Sequence, residues 1–164
     1  MRGVAWANLG EISKAKKELE DLRELRQTLP KSYTIGRASA TRLLGIAELL
    51  VSADVKRASG DLDEAIDLLA RATRIEDSLP YNEPPDWYFP TRHVLGATLT
   101  EAGYFDEAEA VYWQDLRKAP DNGYSIKGLL NIAEARSDPR SAEYKSKFDV
   151  VWKSADVRLG SSRF

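Results

Sequence analysis

Three stretches of the chain share one order of apolar and polar positions: GEISKAKKELEDLRELRQTLP from Gly10, GDLDEAIDLLARATRIEDSLP from Gly60 and GYFDEAEAVYWQDLRKAP from Gly103. Two residues after each glycine stands an apolar side chain (Ile12, Leu62, Phe105), and five after it an alanine (Ala15, Ala65, Ala108). Four further on comes a large apolar residue (Leu19, Leu69, Tyr112), followed by Leu22, Ala72 and Leu116, the last displaced by one position. Apolar residues spaced i, i+4, i+7 lie on one side of a helix, so each stretch predicts an amphipathic helix with a buried face. The small alanine leaves room for a second helix to approach. The glycine tolerates a left-handed backbone and ends the helix before it. Asp61 and Asp106 stand where a helix N-terminus favours an anionic or capping side chain. Pro30, Pro80 and Pro120 then prevent continuation.

Each glycine is preceded by another helical segment: Arg2–Leu9, Ala40–Ser59 and Thr91–Ala102. A fourth pair follows Pro120, with GYSIKGLLNIAEAR as its first helix and SAEYKSKFDVVWKSAD as its second. There Ser137 takes the place of the glycine and Ala142 that of the alanine. The unit is thus helix–turn–helix, repeated at separations of 50, 43 and 34 residues. No alternating apolar pattern persists, so strands are not expected. The predicted fold is all-α, an antiparallel helix-pair solenoid in a single domain of about four units, 1–30, 38–80, 90–120 and 122–156, with a tail over 157–164. Two connectors interrupt the pattern. KSYTIGRAS reads as a short polar linker. YNEPPDWYFP, with three prolines and four aromatics, cannot form a regular helix. It reads as an extended segment whose Trp87, Tyr88 and Phe89 cover apolar surface, with ligand gripping as the alternative.

The Gly103 stretch, with its glycine, apolar, alanine, aromatic and proline positions, resembles the second half of the tetratricopeptide repeat (TPR). Leu95–Gly96, seven residues before Gly103, resembles its first half. The other units are looser: two run three residues longer before their proline, and the fourth lacks its glycine. The segment from Leu79 to Leu129 and the closing ADVRLGSSRF are similar to the C-terminal part of long bacterial TPR proteins. RGVAWANLG reads as the back half of a first helix, which suggests a C-terminal piece of a longer array, or an end covered by pairing. In TPR proteins the first helices of the pairs line a concave groove that holds a peptide or partner helix. The resemblance places Asp54 and Arg57, then His93, Ala97, Thr100 and Glu101, then Tyr124, Lys127, Asn131 and Glu134 on that surface. Lys127 and Asn131 match two positions of the carboxylate-gripping TPR subclass. Leu50, Val51, Pro90 and Val94 occupy the others, so no carboxylate clamp is expected. Arg92 is placed either to anchor Glu83 or Asp86 or to meet a ligand.

Composition narrows the chemistry. The formal net charge of −2 without a block of like charge gives no basic face for nucleic acid. The chain has no cysteine, which excludes disulfides and thiolate chemistry. That fits a reducing cytoplasm, and equally a bacterial protein in any compartment. No apolar run approaches 18 residues, so no membrane span is expected. His93 is the only histidine, and no ligand pair spaced for a metal accompanies it. No nucleophile elbow and no phosphate loop occur, and the paired carboxylates Asp63–Glu64 and Asp106–Glu107 sit in first helical turns, where they complement the helix dipole. The run KAKKELEDLRELR pairs charges at i, i+4 and reads as a solvated face. The expectation is a non-enzymatic module without cofactor or metal, binding a protein or peptide through Asp54, Arg57, Arg92, His93, Glu101, Tyr124, Lys127 and Asn131. The second reading is a self-assembling homo-oligomer, paired through its N-terminal end and its tryptophans Trp6, Trp113 and Trp152.

Overall fold

A computed structural model describes residues 1–163; Phe164, the last residue of the predicted tail, lies outside the described residues. Eight helices and one two-stranded hairpin occur among them, so the chain is mainly α-helical. They fall into two compact units, one running from Met1 to Thr91 and the other from Arg92 onward.

The first unit holds α1 (Arg2–Asn8), α2 (Ile12–Thr28), β1 (Thr34–Ile35), β2 (Ala38–Ser39), α3 (Ala40–Ala58) and α4 (Leu62–Asp77). α3 packs against α1, α2 and α4, most extensively against α4. Leu43 and Ile46 of α3 and Leu68, Leu69 and Ala72 of α4 are buried there. Each large aliphatic side chain removed from water stabilises the seam by roughly 1.5–3 kcal/mol. α1 comes close to α3 because Gly3 carries no side chain: a Cβ there would lie 2.9 Å from a methyl of Val51. Ala7, Ala15 and Val55 close this end of the core, with Trp6 and Ile12 packed against them. The charged run of α2 is solvated as expected, but two of its arginines reach across: Arg23 Nε and Arg26 Nη1 donate to the two oxygens of Glu48 on α3 at 2.9 and 2.7 Å.

The segment KSYTIGRAS is not a plain linker. Thr34–Ile35 and Ala38–Ser39 pair antiparallel around Gly36. Asp86 braces this tip by accepting from the Arg37 amide at 3.1 Å and from Asn82 at 2.6 Å. Two residues per strand are too few for an alternating pattern to be visible in sequence. The YNEPPDWYFP segment is irregular, as predicted. Trp87 and Phe89 are half-buried, whereas Tyr88 is exposed and does not cover apolar surface. Thr91 closes the unit: its amide and hydroxyl donate to Glu76 of α4 at 2.8 and 2.5 Å.

The second unit holds α5 (Thr91–Glu101, from Arg92 on), α6 (Phe105–Lys118), α7 (Gly123–Ala135) and α8 (Ser141–Val151). α7 packs against both α6 and α8. Tyr112 of α6 is buried in a slot between Gly96 of α5 and Gly128 of α7, where an added Cβ would lie 2.5 and 2.2 Å from its ring. α8 stops at Val151, five residues short of the predicted Asp156. Its cap residue Trp152 lies over Gly123, stacks on Phe148 and meets Tyr124 edge-on. The Trp152 indole N–H then donates to the carbonyl of Val157 at 2.9 Å, which binds a turned backbone rather than a continuing helix.

The turns follow the predicted alignment. Gly10, Gly60 and Gly103 have φ of +78°, +83° and +82°, and Ser137, aligned with them, has φ of +53°. Ala15, Ala65 and Ala108 are all 0% exposed.

Candidate functional site

Two features of the second unit stand out. One is a polar, partly aromatic seam between α5, α6 and α7. The other is an open apolar cleft between α6 and α8.

The seam centres on Asp115, which the inner face of α6 carries into the interior three residues after Tyr112. Its Oδ2 accepts from Ser125 Oγ at 2.6 Å and from Asn122 Nδ2 at 2.9 Å, and His93 Nε2 lies 3.2 Å from it, in a role set by the ring tautomer. Asn122 is the N-cap of α7, and its Oδ1 accepts the Tyr124 amide at 3.0 Å. That bond fixes the amide's orientation, so its Nδ2 must face Asp115 and, at 2.8 Å, His93 Nε2. One side chain therefore caps a helix and satisfies a buried carboxylate. Burial pushes the Asp115 carboxyl up, but hydrogen bonds from His93 and Ser125 and the nearby charge of Arg92 outweigh it and hold it below its ordinary value.

His93 is 2% exposed. Its ring stacks on Tyr124 with centroids 5.2 Å apart. Tyr124, Trp152 and Phe148 continue the aromatic row, and Lys127 Nζ lies 5.7 Å above the Phe148 ring. The row brings together His93, Tyr124 and Lys127, three residues that the TPR resemblance put on one face. Arg92 is buried and contributes charge to Asp115. Asn131 Nδ2 donates to the Gly160 carbonyl of the C-terminal segment at 2.9 Å. Glu101 is exposed at the end of α5. The remaining two belong to the first unit: Asp54 is buried, accepts from Arg57 Nε at 3.4 Å, and Arg57 also donates to Asn8 of α1. Thus Asp54, Arg92 and His93 are interior groups, and an incoming ligand would not meet them without rearrangement.

The chemistry of the seam is that of a buried hydrogen-bond network around one carboxylate. Ser125 Oγ donates its hydrogen bond to Asp115 and not to His93. No group of three or more His, Asp or Glu able to hold a metal ion occurs among the described residues. No helix among them is long and apolar enough to cross a membrane.

The cleft has a volume of about 470 Å³. Trp113 and Leu116 of α6 form one wall, Ile126 and Leu129 of α7 the floor, and Tyr144 and Val150 of α8 the other wall. Leu116, Ile126, Leu129 and Tyr144 are buried beneath it, while Trp113 and Val150 stand 42% and 63% exposed at its edges. Arg117, Asp121 and Lys147 rim it. Lys147 pairs with Glu143 on its own helix at 2.7 Å, and Arg117 has no partner among the described residues. Of these residues only Trp113 was singled out as a contact group from sequence, as part of a self-assembly surface. One signal was present: Trp113 directly follows the buried Tyr112, and successive helix residues are turned about 100° from one another, so its ring points away from the slot that holds Tyr112.

No protein-family model matches the sequence, and no curated protein is similar to it.

Proposed function

We propose that the chain is a non-enzymatic protein-interaction module of TPR-like helix pairs stacked as a solenoid. The shared left-handed turns and the three fully buried alanines support repetition of one helix–turn–helix unit. The observation that carries the binding reading is the open cleft between α6 and α8. Its guest is an amphipathic helix of a partner protein. Two helical walls over an apolar floor suit a helix laid between them, read through apolar anchors at i, i+3, i+4 and i+7. The uncompensated guanidinium of Arg117 on the rim favours an acidic residue beside that apolar stripe. The groove expected from the TPR resemblance remains part of the proposal through Tyr124, Lys127 and Asn131, which are half-buried rather than interior.

Selection of displayed peptides on the full chain tests this reading, with the Val150→Glu variant as counter-target. Val150 is exposed, so the variant should keep its helical content and melting temperature. The expected peptides share an apolar helical stripe with an acidic flank and bind the variant at least tenfold more weakly, a loss of about 1.4 kcal/mol. Peptides that bind both proteins equally would remove the cleft as the site. A dimer of the chain itself that Val150→Glu dissolves would replace the foreign guest by a second copy.

A further inference from the structure

The C-terminal segment is held to the second unit in an unusual way. From Lys153 to Arg158 every side chain is exposed, yet Ser162 beyond them is 1% exposed. Ser162 Oγ donates to the carbonyl of His93 at 2.8 Å. Its single proton is used there, so the 2.6 Å contact with Tyr112 must be donated by the tyrosine hydroxyl. Two residues earlier, Asn131 grips the backbone carbonyl of Gly160. The anchor thus includes one hydroxyl side chain and one main-chain carbonyl, beyond a stretch whose side chains are exposed and whose Val157 carbonyl accepts from Trp152. Gly160 has no steric need to be glycine, since an added Cβ would meet nothing within 4 Å. A site that reads a carbonyl at one position and a small hydroxyl two residues on, and ignores the first side chain, is a peptide-recognition site. The Asn131 side chain supplies the donor to the main-chain carbonyl, and the Tyr112 hydroxyl with the His93 carbonyl supplies the side-chain pocket.

We propose that the tail is a displaceable ligand bound in cis, and that the Tyr112–His93–Asn131 site takes an extended segment of a partner protein of the pattern x-x-Ser. The tether holds the tail at a high effective concentration, so a guest in trans must compete with it. The occupied site is quiet until a partner segment outcompetes the tail. This site is separate from the α6–α8 cleft, and neither depends on the other.

A specific protease sequence inserted between Ser154 and Ala155 of the full chain allows the tether to be cut after folding. Gel filtration should then separate the tail fragment from a body that keeps its helical circular dichroism. The labelled peptide DVRLGSSRF should bind the cut body saturably and bind the uncut chain at least tenfold more weakly. The same peptide carrying valine in place of the residue equivalent to Ser162 should lose at least tenfold. A fragment that stays with the body, or a body that unfolds when the fragment leaves, would make the tail an integral part of the fold and overturn the proposal. Equal binding of the serine and valine peptides would overturn the recognition pattern. A concentration-dependent dimer of the uncut chain, dissolved by excess peptide, would reassign the guest to the tail of a second copy. Val150→Glu should leave this peptide's binding unchanged, which keeps the outcome apart from that of the cleft.

Discussion

Tyr112 sets the tolerance of the second unit to change. Its ring fills the space that side chains at Gly96 and Gly128 would need, and burial pushes its hydroxyl up to about 12, so the proton that it donates to Ser162 stays in place at neutral pH. Gly128→Ala adds a methyl 2.2 Å from the ring, far inside van der Waals contact. α7 or the tyrosine has to shift, and such overpacking costs about 1–3 kcal/mol. Urea unfolding should show a lower midpoint with an unchanged slope, although alanine is the better helix former. The Leu95–Gly96 pair was legible as a repeat signature before the structure showed what the missing side chain makes room for. The sequence position of Ser137 was likewise legible as the partner of Gly10, Gly60 and Gly103, and its φ of +53° places it in the same left-handed region. Asp115 and Ser162 were not legible. Each is an ordinary polar residue whose importance comes from groups 22 and 69 residues away in sequence.

Among elements, the α2–α3 contact carries the clearest electrostatic signature. Burial raises the Glu48 carboxyl, but the hydrogen bonds from Arg23 and Arg26 outweigh it and hold the group below its ordinary value. A carboxylate depressed by folding adds stability above its unfolded pKa and loses it as pH falls through the folded one. Glu48 and Asp115 are both of this kind, so the unfolding midpoint should be flat from pH 7 to about 5.5 and fall below about pH 4, near the ordinary carboxylate range. Glu48→Gln should lower stability at pH 7 by about 1 kcal/mol, since the side chains are partly solvated. It should also flatten the acid limb relative to the wild type. Equal acid limbs for the two proteins would show that the pairing seen between Glu48 and the arginines adds nothing. Element existence and most helix ends were readable because periodicity, glycine and proline act locally. The short hairpin and the early end of α8 were not, because Asp86 and Trp152 impose them through contacts formed only in the folded chain. The same division holds for the site. The TPR resemblance placed Tyr124, Lys127 and His93 on one face, whereas the cleft joins core residues to the exposed Trp113 and Val150, which a core-seeking pattern passes over.

At the scale of the whole molecule, charge and apolar exposure act together. The formal charge is −2 at pH 7 and the sequence pI is about 5.6, so little long-range repulsion separates two copies, and none at the pI. Proteins with a net charge near zero associate through whatever apolar surface they expose. Here the cleft, with Trp113 and Val150 on its edges, offers such a surface. Static light scattering at fixed protein concentration should therefore rise toward pH 5.6 and fall again below it. Val150→Glu should suppress the rise, but the added carboxylate also moves the pI, so charge alone could produce part of the effect. Leu25→Glu separates the two causes. Leu25 is an exposed residue of α2 in the other unit, takes the same charge change and is not among the residues that line the cleft. If the cleft mediates association, Leu25→Glu should shift the pH of maximal scattering without lowering its height, while Val150→Glu lowers the height as well. Equal curves for the two variants would mean that association follows net charge, and the cleft would then have no special part in bringing molecules together.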